Sequence, residues 1–213
     1  MNSKPAVQSE GSLPAIAPDE WRKKVMRKCA ESIEVKERFL DRYAEQIGEL
    51  SRQMAERFLK GRQLWVMGNG GSACDAQHIA VEFVHPIIEK RRAFPVRDLA
   101  SQSPLMTAIA NDRDYSRIFA DQIELWGEPD DMALAISTSG QSPNLIYGLE
   151  SARKKNMLTV AFSGRDGGRI AEVADYCFTV PSFSTHRIQE SHVALLHILW
   201  DLTHVAMGEE DVI

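Results

Sequence analysis

All six histidines of the 213-residue chain fall in two segments. His78 and His85 lie in the first; His186, His192, His197 and His204 lie in the second. On a helix, His78 and Glu82 stand four residues apart, about 40° around the axis and so on one face. That pair can offer an imidazole and a carboxylate to one metal ion or one substrate. Gln189 and His197 are eight apart, about 80° around and two turns along. They line one cavity only if their helix crosses it obliquely. His85, His186, His192 and His204 have no partner at a telling spacing and read as ordinary core or surface residues.

Two loops have the chemistry of anion capture. Ser137, Thr138, Ser139 and Ser142 surround Gly140 where an apolar run ends and a helical pattern begins. Their hydroxyls can donate hydrogen bonds, Gly140 lets the backbone turn its N–H groups inward, and the helix start adds partial positive charge. This suits a phosphomonoester without Lys or Arg. Ser and Thr also cap helices, but four hydroxyls around one glycine exceed what a cap needs. The second loop is GNGGS (68–72): Gly68, Gly70 and Gly71 permit close backbone approach, and Asn69 and Ser72 offer polar groups. It has no Lys-Ser or Lys-Thr, so it is not a Walker loop, and Ala73 breaks the dinucleotide GxGxxG pattern. Asp112, in AsnAspArgAspTyr (111–115), suits a helix cap or turn and also counts among the substrate-binding candidates. Cys74, near a helix start, reads as a small buried residue.

The elements that must position these residues alternate strand and helix. Apolar runs at 64–67, 132–137, 157–164 and 176–180, with a weaker one at 95–99, are short and lack polar alternation. Helical patterns follow at about 73–85, after TSGQS to about 155, briefly near Ile170, and at 185–207. This predicts a doubly wound α/β fold with a parallel sheet buried on both faces. Ligands in such sheets sit at the carboxyl ends of strands near a topological switch point. Both loops lie at such ends, so a shared pocket between them is expected. Ahead of the first strand, residues 19–60 carry an apolar stripe from Val25 to Phe58 at three- and four-residue steps, which predicts two helices or one long bent pair. Residues 1–17, rich in Ser, Pro and Ala, read as a mobile arm before a single domain at 18–213.

The net charge of −5 gives no basic field for nucleic acid or an anionic membrane. The three cysteines, Cys29, Cys74 and Cys177, form no CxxC pair and fit a reducing cytoplasm. No apolar run approaches the roughly 20 residues of a membrane span, and the N-terminus lacks the pattern of a signal peptide.

GNGGSACDAQHIAVEF (68–83), PLMTAIAND (104–112), LAISTSGQSPN (134–144), FSGRDGG (162–168) and RIQESHVALLHIL (187–199), in this order, resemble the sedoheptulose-7-phosphate isomerases. These are phosphoheptose isomerases of the sugar isomerase (SIS) fold, whose sheet is five-stranded and flavodoxin-like. The resemblance runs from about residue 20 to about 205. It implies an aldose–ketose isomerase that makes D-glycero-D-manno-heptose 7-phosphate through an enediol. It implies Glu82 and His197 as the catalytic pair, and zinc held by His78, Glu82, Gln189 and His197. The candidate substrate-binding set is Asn69, Gly70, Ser72, Asp112, Ser137, Thr138, Ser139, Ser142 and Gln189; the resemblance implies that the sugar phosphate is held through the STSGxS loop. A homotetramer with helices at its centre is implied as well. Two positions depart from the family pattern: His85-Pro86 replaces a Gly-Arg pair, and His186 replaces an Asp. The alternative is a non-catalytic sugar-phosphate- or protein-binding module of the DnaA initiator-associating type. Retained Glu82 and His197 favour the enzyme.

Overall fold

A computed structural model describes residues 16–87 and 91–211, so the arm expected at 1–17 lies almost wholly outside the described residues. The elements follow in the order α1 (Pro18–Leu59), β1 (Leu64–Gly68), α2 (Gly71–Val84), β2 (Val96–Asp98), α3 (Ser103–Asp112), α4 (Ala120–Trp126), β3 (Met132–Ile136), α5 (Pro143–Lys154), β4 (Leu158–Gly164), β5 (Tyr176–Val180) and α6 (Thr185–Ala206). The five strands are parallel in the order β2-β1-β3-β4-β5. The chain reverses its winding between β1 and β3, which places the switch point where the two candidate loops emerge.

Both faces of the sheet are covered, which is why its strands carry no polar alternation. Leu64, Val66, Leu134, Ile136, Val160 and Phe162 face one way, against α1, α2 and α6. Trp65, Met67, Ala133, Ala135 and Ala161 face the other, against α4 and α5. Gln63 N–H, Trp65 Nε1–H and Glu128 N–H donate to the buried Asp131 carboxylate at 2.9, 3.0 and 3.1 Å. Asp131 thus pins the amino ends of β1 and β3, the end of the sheet remote from both loops.

The N-terminal segment is one continuous helix rather than two, 42 residues long. Gly48 lies on its exposed side, where a glycine costs about 1 kcal/mol relative to alanine. Burial of Ile47, Leu50, Met54 and Phe58 around that point outweighs so small a penalty. Burial starts only at Phe39. The preceding half of α1 leaves Trp21, Val25, Met26 and Ile33 more than half exposed.

His192 is fully buried on α6, with its Nε2 2.9 Å from the Ser163 carbonyl. Burial pushes its imidazole down to about 4, against about 6.5 in an unfolded chain. Between those two values the unfolded state binds a proton that the folded state refuses, so stability falls as pH drops from 6.5 towards 4. The full linkage is about 3 kcal/mol. The melting temperature is expected to decline through this window, and His192→Gln is expected to flatten that part of the profile.

Candidate active site

Of the residues singled out for chemistry, His78, Glu82 and His197 come together in the cleft between α2 and α6. Gly70 opens α2 with φ of +56°, a backbone conformation that favours glycine. From there α2 carries His78 and Glu82 up one face, with His78 Nε2 3.4 Å from Glu82 Oε1. His197 enters from α6, its Nε2 3.3 Å from His78 Nε2. Donor atoms of His78, Glu82 and His197 all lie within 4.8 Å of one another. His78 and Glu82 are half-buried and His197 is exposed, so the cluster opens to solvent.

This donor set fits a zinc ion. Ligands at about 2.0–2.1 Å on tetrahedral corners stand about 3.3–3.4 Å apart, and two imidazoles with a carboxylate are an ordinary zinc set that leaves a position open. Gln189, the fourth expected member, packs its amide against the start of α2: a Cβ at Gly71 would collide with Gln189 Nε2. Asp75, one turn before His78, went unnoticed in the sequence. Burial lifts its carboxyl above the ordinary range, partly opposed by the nearby His78.

The hydroxyl loop after β3 is built on its own side chains. Gly140 N–H donates to Ser137 Oγ at 3.0 Å and Gln141 N–H to Ser139 Oγ at 3.3 Å. Their O–H groups remain able to donate. Ser142 is the N-cap residue of α5 but makes no side-chain cap bond, so capping does not account for this serine cluster. Gly140 has φ of +65°, and a Cβ there would strike the Gly167 carbonyl. The FSGRDGG segment therefore presses against the loop and supports it from behind. Thr138 and Ser139 are half-buried, while Ser72 is buried at the start of α2.

One link between the two loops was missed in the sequence. Asn69 and Asn144 exchange side-chain hydrogen bonds in both directions, at 3.0 and 2.8 Å. Asn144 Oδ1 also accepts from Leu145 N–H at 3.0 Å. Tyr115 donates its hydroxyl to Asn69 Oδ1 at 3.3 Å. The Asn69 side chain, expected at the substrate, is thus engaged in joining GNGGS to the start of α5. Asp112 ends α3, accepts from Asn111 Nδ2 at 2.8 Å and lines a cleft of about 240 Å³ with Ile109 and Asp121. It is Tyr115, three residues later, that reaches the glycine loop. Asn144→Ala removes both halves of the amide exchange and is expected to cost about 1–3 kcal/mol of stability. KM should rise more than kcat falls, because the variant loosens the loops rather than the reacting groups.

Residues 29–164 match the SIS domain family. The chain is 43% identical over 186 residues to a phosphoheptose isomerase of Aquifex aeolicus, covering 87% of this chain and 97% of that one. The chain belongs to the phosphoheptose isomerase family. A second relative, from Roseiflexus sp., is 40% identical over 192 residues, 90% of this chain and 98% of its own length. Among solved structures, the phosphoheptose isomerase of Francisella tularensis superposes with a TM-score of 0.83 at 29% identity, covering 87% of this chain and 98% of that one. That of Neisseria gonorrhoeae gives 0.80 at 32%, covering 86% and 98%. Membership of the phosphoheptose isomerases makes the chain an isomerase of sugar phosphates rather than a binding module.

Proposed function

We propose that the chain converts sedoheptulose 7-phosphate into D-glycero-D-manno-heptose 7-phosphate. The observation that carries this reading is the convergence of Glu82, His78 and His197 beside two strand-end loops that share a hydrogen-bonded edge. The 137–142 loop takes the phosphate, through hydroxyl and main-chain donors at the start of α5. From Gly71 to His78 the α2 axis advances about 10 Å, comparable with an extended seven-carbon chain. A phosphate at the switch point then leaves the other end of the sugar beside Glu82.

In the forward direction Glu82 takes a proton from C1. The electrons of that C–H bond form the C1–C2 double bond, and the carbonyl oxygen on C2 takes a proton from His197. Glu82 next returns its proton to C2 while O1 gives its proton to His197, which leaves the aldehyde. Each such proton transfer contributes about 10² to 10⁴ in rate. His78, Glu82 and His197 would hold zinc, which when bound polarises the hydroxyl–carbonyl pair, while the Gln189 amide stands at the start of α2. The deciding experiment is incubation with sedoheptulose 7-phosphate in deuterated water. Deuterium at C2 of a chromatographically resolved heptose product is expected. A folded protein that binds phosphate yet turns over no ketose phosphate would restore the binding-module reading.

A homotetramer is supported by the unpartnered apolar residues on the first half of α1, which need a surface to cover them. Sedimentation should give four chains per particle, and a well-behaved monomer would refute the assembly. The Cys29, Cys74 and Cys177 thiols are all free, which supports residence in a reducing cytoplasm. Among the described residues, no helix is long and apolar enough to cross a membrane.

A further inference from the structure

The carbonyl of Glu82 has lost its ordinary partner. In an α-helix the carbonyl of residue i accepts from the N–H of residue i+4. For Val81 that donor is His85, at 2.9 Å. For Glu82 it would be residue 86, which is proline and has no N–H. Proline also bars its predecessor from the helical region, and His85 indeed leaves the helix with φ of −134° and ψ of 72°. A carbonyl in such a place needs another donor. The donor comes from the facing helix: Trp200 Nε1–H bonds Glu82 O at 2.8 Å.

Trp200 lies one turn beyond His197 on α6. A single hydrogen bond therefore joins the backbone of the residue that carries the carboxylate to the turn that carries the imidazole. The indole is itself fixed. The Arg91 guanidinium stands 4.6 Å from its ring centroid, and Arg91 Nη2 donates to Asp201 Oδ1 at 2.6 Å. Both Trp200 and the Arg91 side chain are almost fully buried.

We propose that Trp200 is a positioning residue: it replaces the main-chain donor that Pro86 removes, and so sets the spacing of Glu82 and His197 across the α2–α6 cleft. The proposal rests on the isomerase reading of this cleft, but its test does not depend on turnover alone. Trp200→Phe keeps an aromatic ring and deletes the donor. It is expected to lower kcat about tenfold with KM within twofold. Zinc affinity, measured by calorimetry on the metal-free chain, should fall about tenfold, the lower end of what losing a hydrogen bond that orients a metal ligand costs.

Trp65→Phe is the control. It deletes an indole donor to Asp131 at the far end of the sheet, and should lower the melting temperature while leaving kcat and zinc affinity unchanged. Adding Pro86→Ala to Trp200→Phe returns an N–H four residues after Glu82 and should recover part of both losses. Trp200→Phe values within twofold of wild type, or an equal kcat loss in Trp65→Phe, would overturn the assignment. Should Trp200→Phe fail to fold, the native chain still decides. Zinc should shift the Trp200 indole N–H resonance and leave that of Trp65 in place; an unmoved Trp200 resonance overturns the proposal. A wild-type chain that binds zinc but isomerises no ketose phosphate would count against the isomerase reading and leave this tie to be judged by affinity and resonance.

Discussion

Glu82→Gln is expected to lower turnover of sedoheptulose 7-phosphate by at least about 10², with the fold and substrate binding nearly intact. The change keeps the size and hydrogen-bonding capacity of the side chain and removes only the base. Trp200 bonds the main-chain carbonyl of residue 82, not its carboxylate, so the backbone anchor survives the substitution. His197→Gln should lose a similar factor. The two groups act in one proton-transfer sequence, so the double variant should lose much less than the product of the single losses. Steady-state kinetics on the three variants, with circular dichroism and melting curves as the check on folding, measures this. A Glu82→Gln protein that isomerises at near wild-type rate would remove Glu82 from the chemistry.

The second large effect belongs to the hydroxyl loop. Replacing Ser137, Ser139 and Ser142 together by alanine should raise KM at least about 100-fold, since each hydrogen bond to a charged group is worth about 1.5–3 kcal/mol. Inorganic phosphate and sulfate should compete with substrate in the native protein and lose that ability in the triple variant. Part of the loss will come from the loop itself, because Ser137 and Ser139 accept from Gly140 and Gln141 N–H. Ser142→Ala alone separates the two contributions: its side chain makes no cap bond, so any rise in KM in that variant reports contact with phosphate. Unchanged affinity in the triple variant would place the phosphate elsewhere.

Much of this arrangement is legible in the sequence, and the illegible parts share a physical reason. The strands stand out because a buried parallel sheet leaves short unbroken apolar runs, ended here by Gly- and Ser-rich loops. His78 and Glu82 pair through helical spacing alone. The other half of the cluster is not local: His197 meets His78 across 119 residues, and no periodicity records that. The resemblance to a family is what linked them. Asn144 escaped notice because an asparagine one residue into a helix looks like part of the helix start. Its partner Asn69 lies 75 residues away. The region of α3 and α4 gave no helical signal for a related reason. α3 buries no residue fully and packs only Met106, Ile109 and Ala110 partly against the core, so its stripe is short, and α4 has only seven residues. The long first helix failed in the opposite sense. The stripe from Val25 to Phe58 suggested two helices or a bend, but core burial of Ile47, Leu50, Met54 and Phe58 carries one helix through Gly48.

Asp131 holds the sheet by the edge that faces away from the chemistry. Three donors from two neighbouring segments meet on its carboxylate, one strand length, roughly 16 Å, from the loops that receive the substrate. Heat tolerance and substrate preference can accordingly be selected in separate libraries. Substitutions around Gln63, Glu128 and Asp131 would explore the first, and those around Thr138 and Ser142 the second, with little reason for gains in one to be undone by the other.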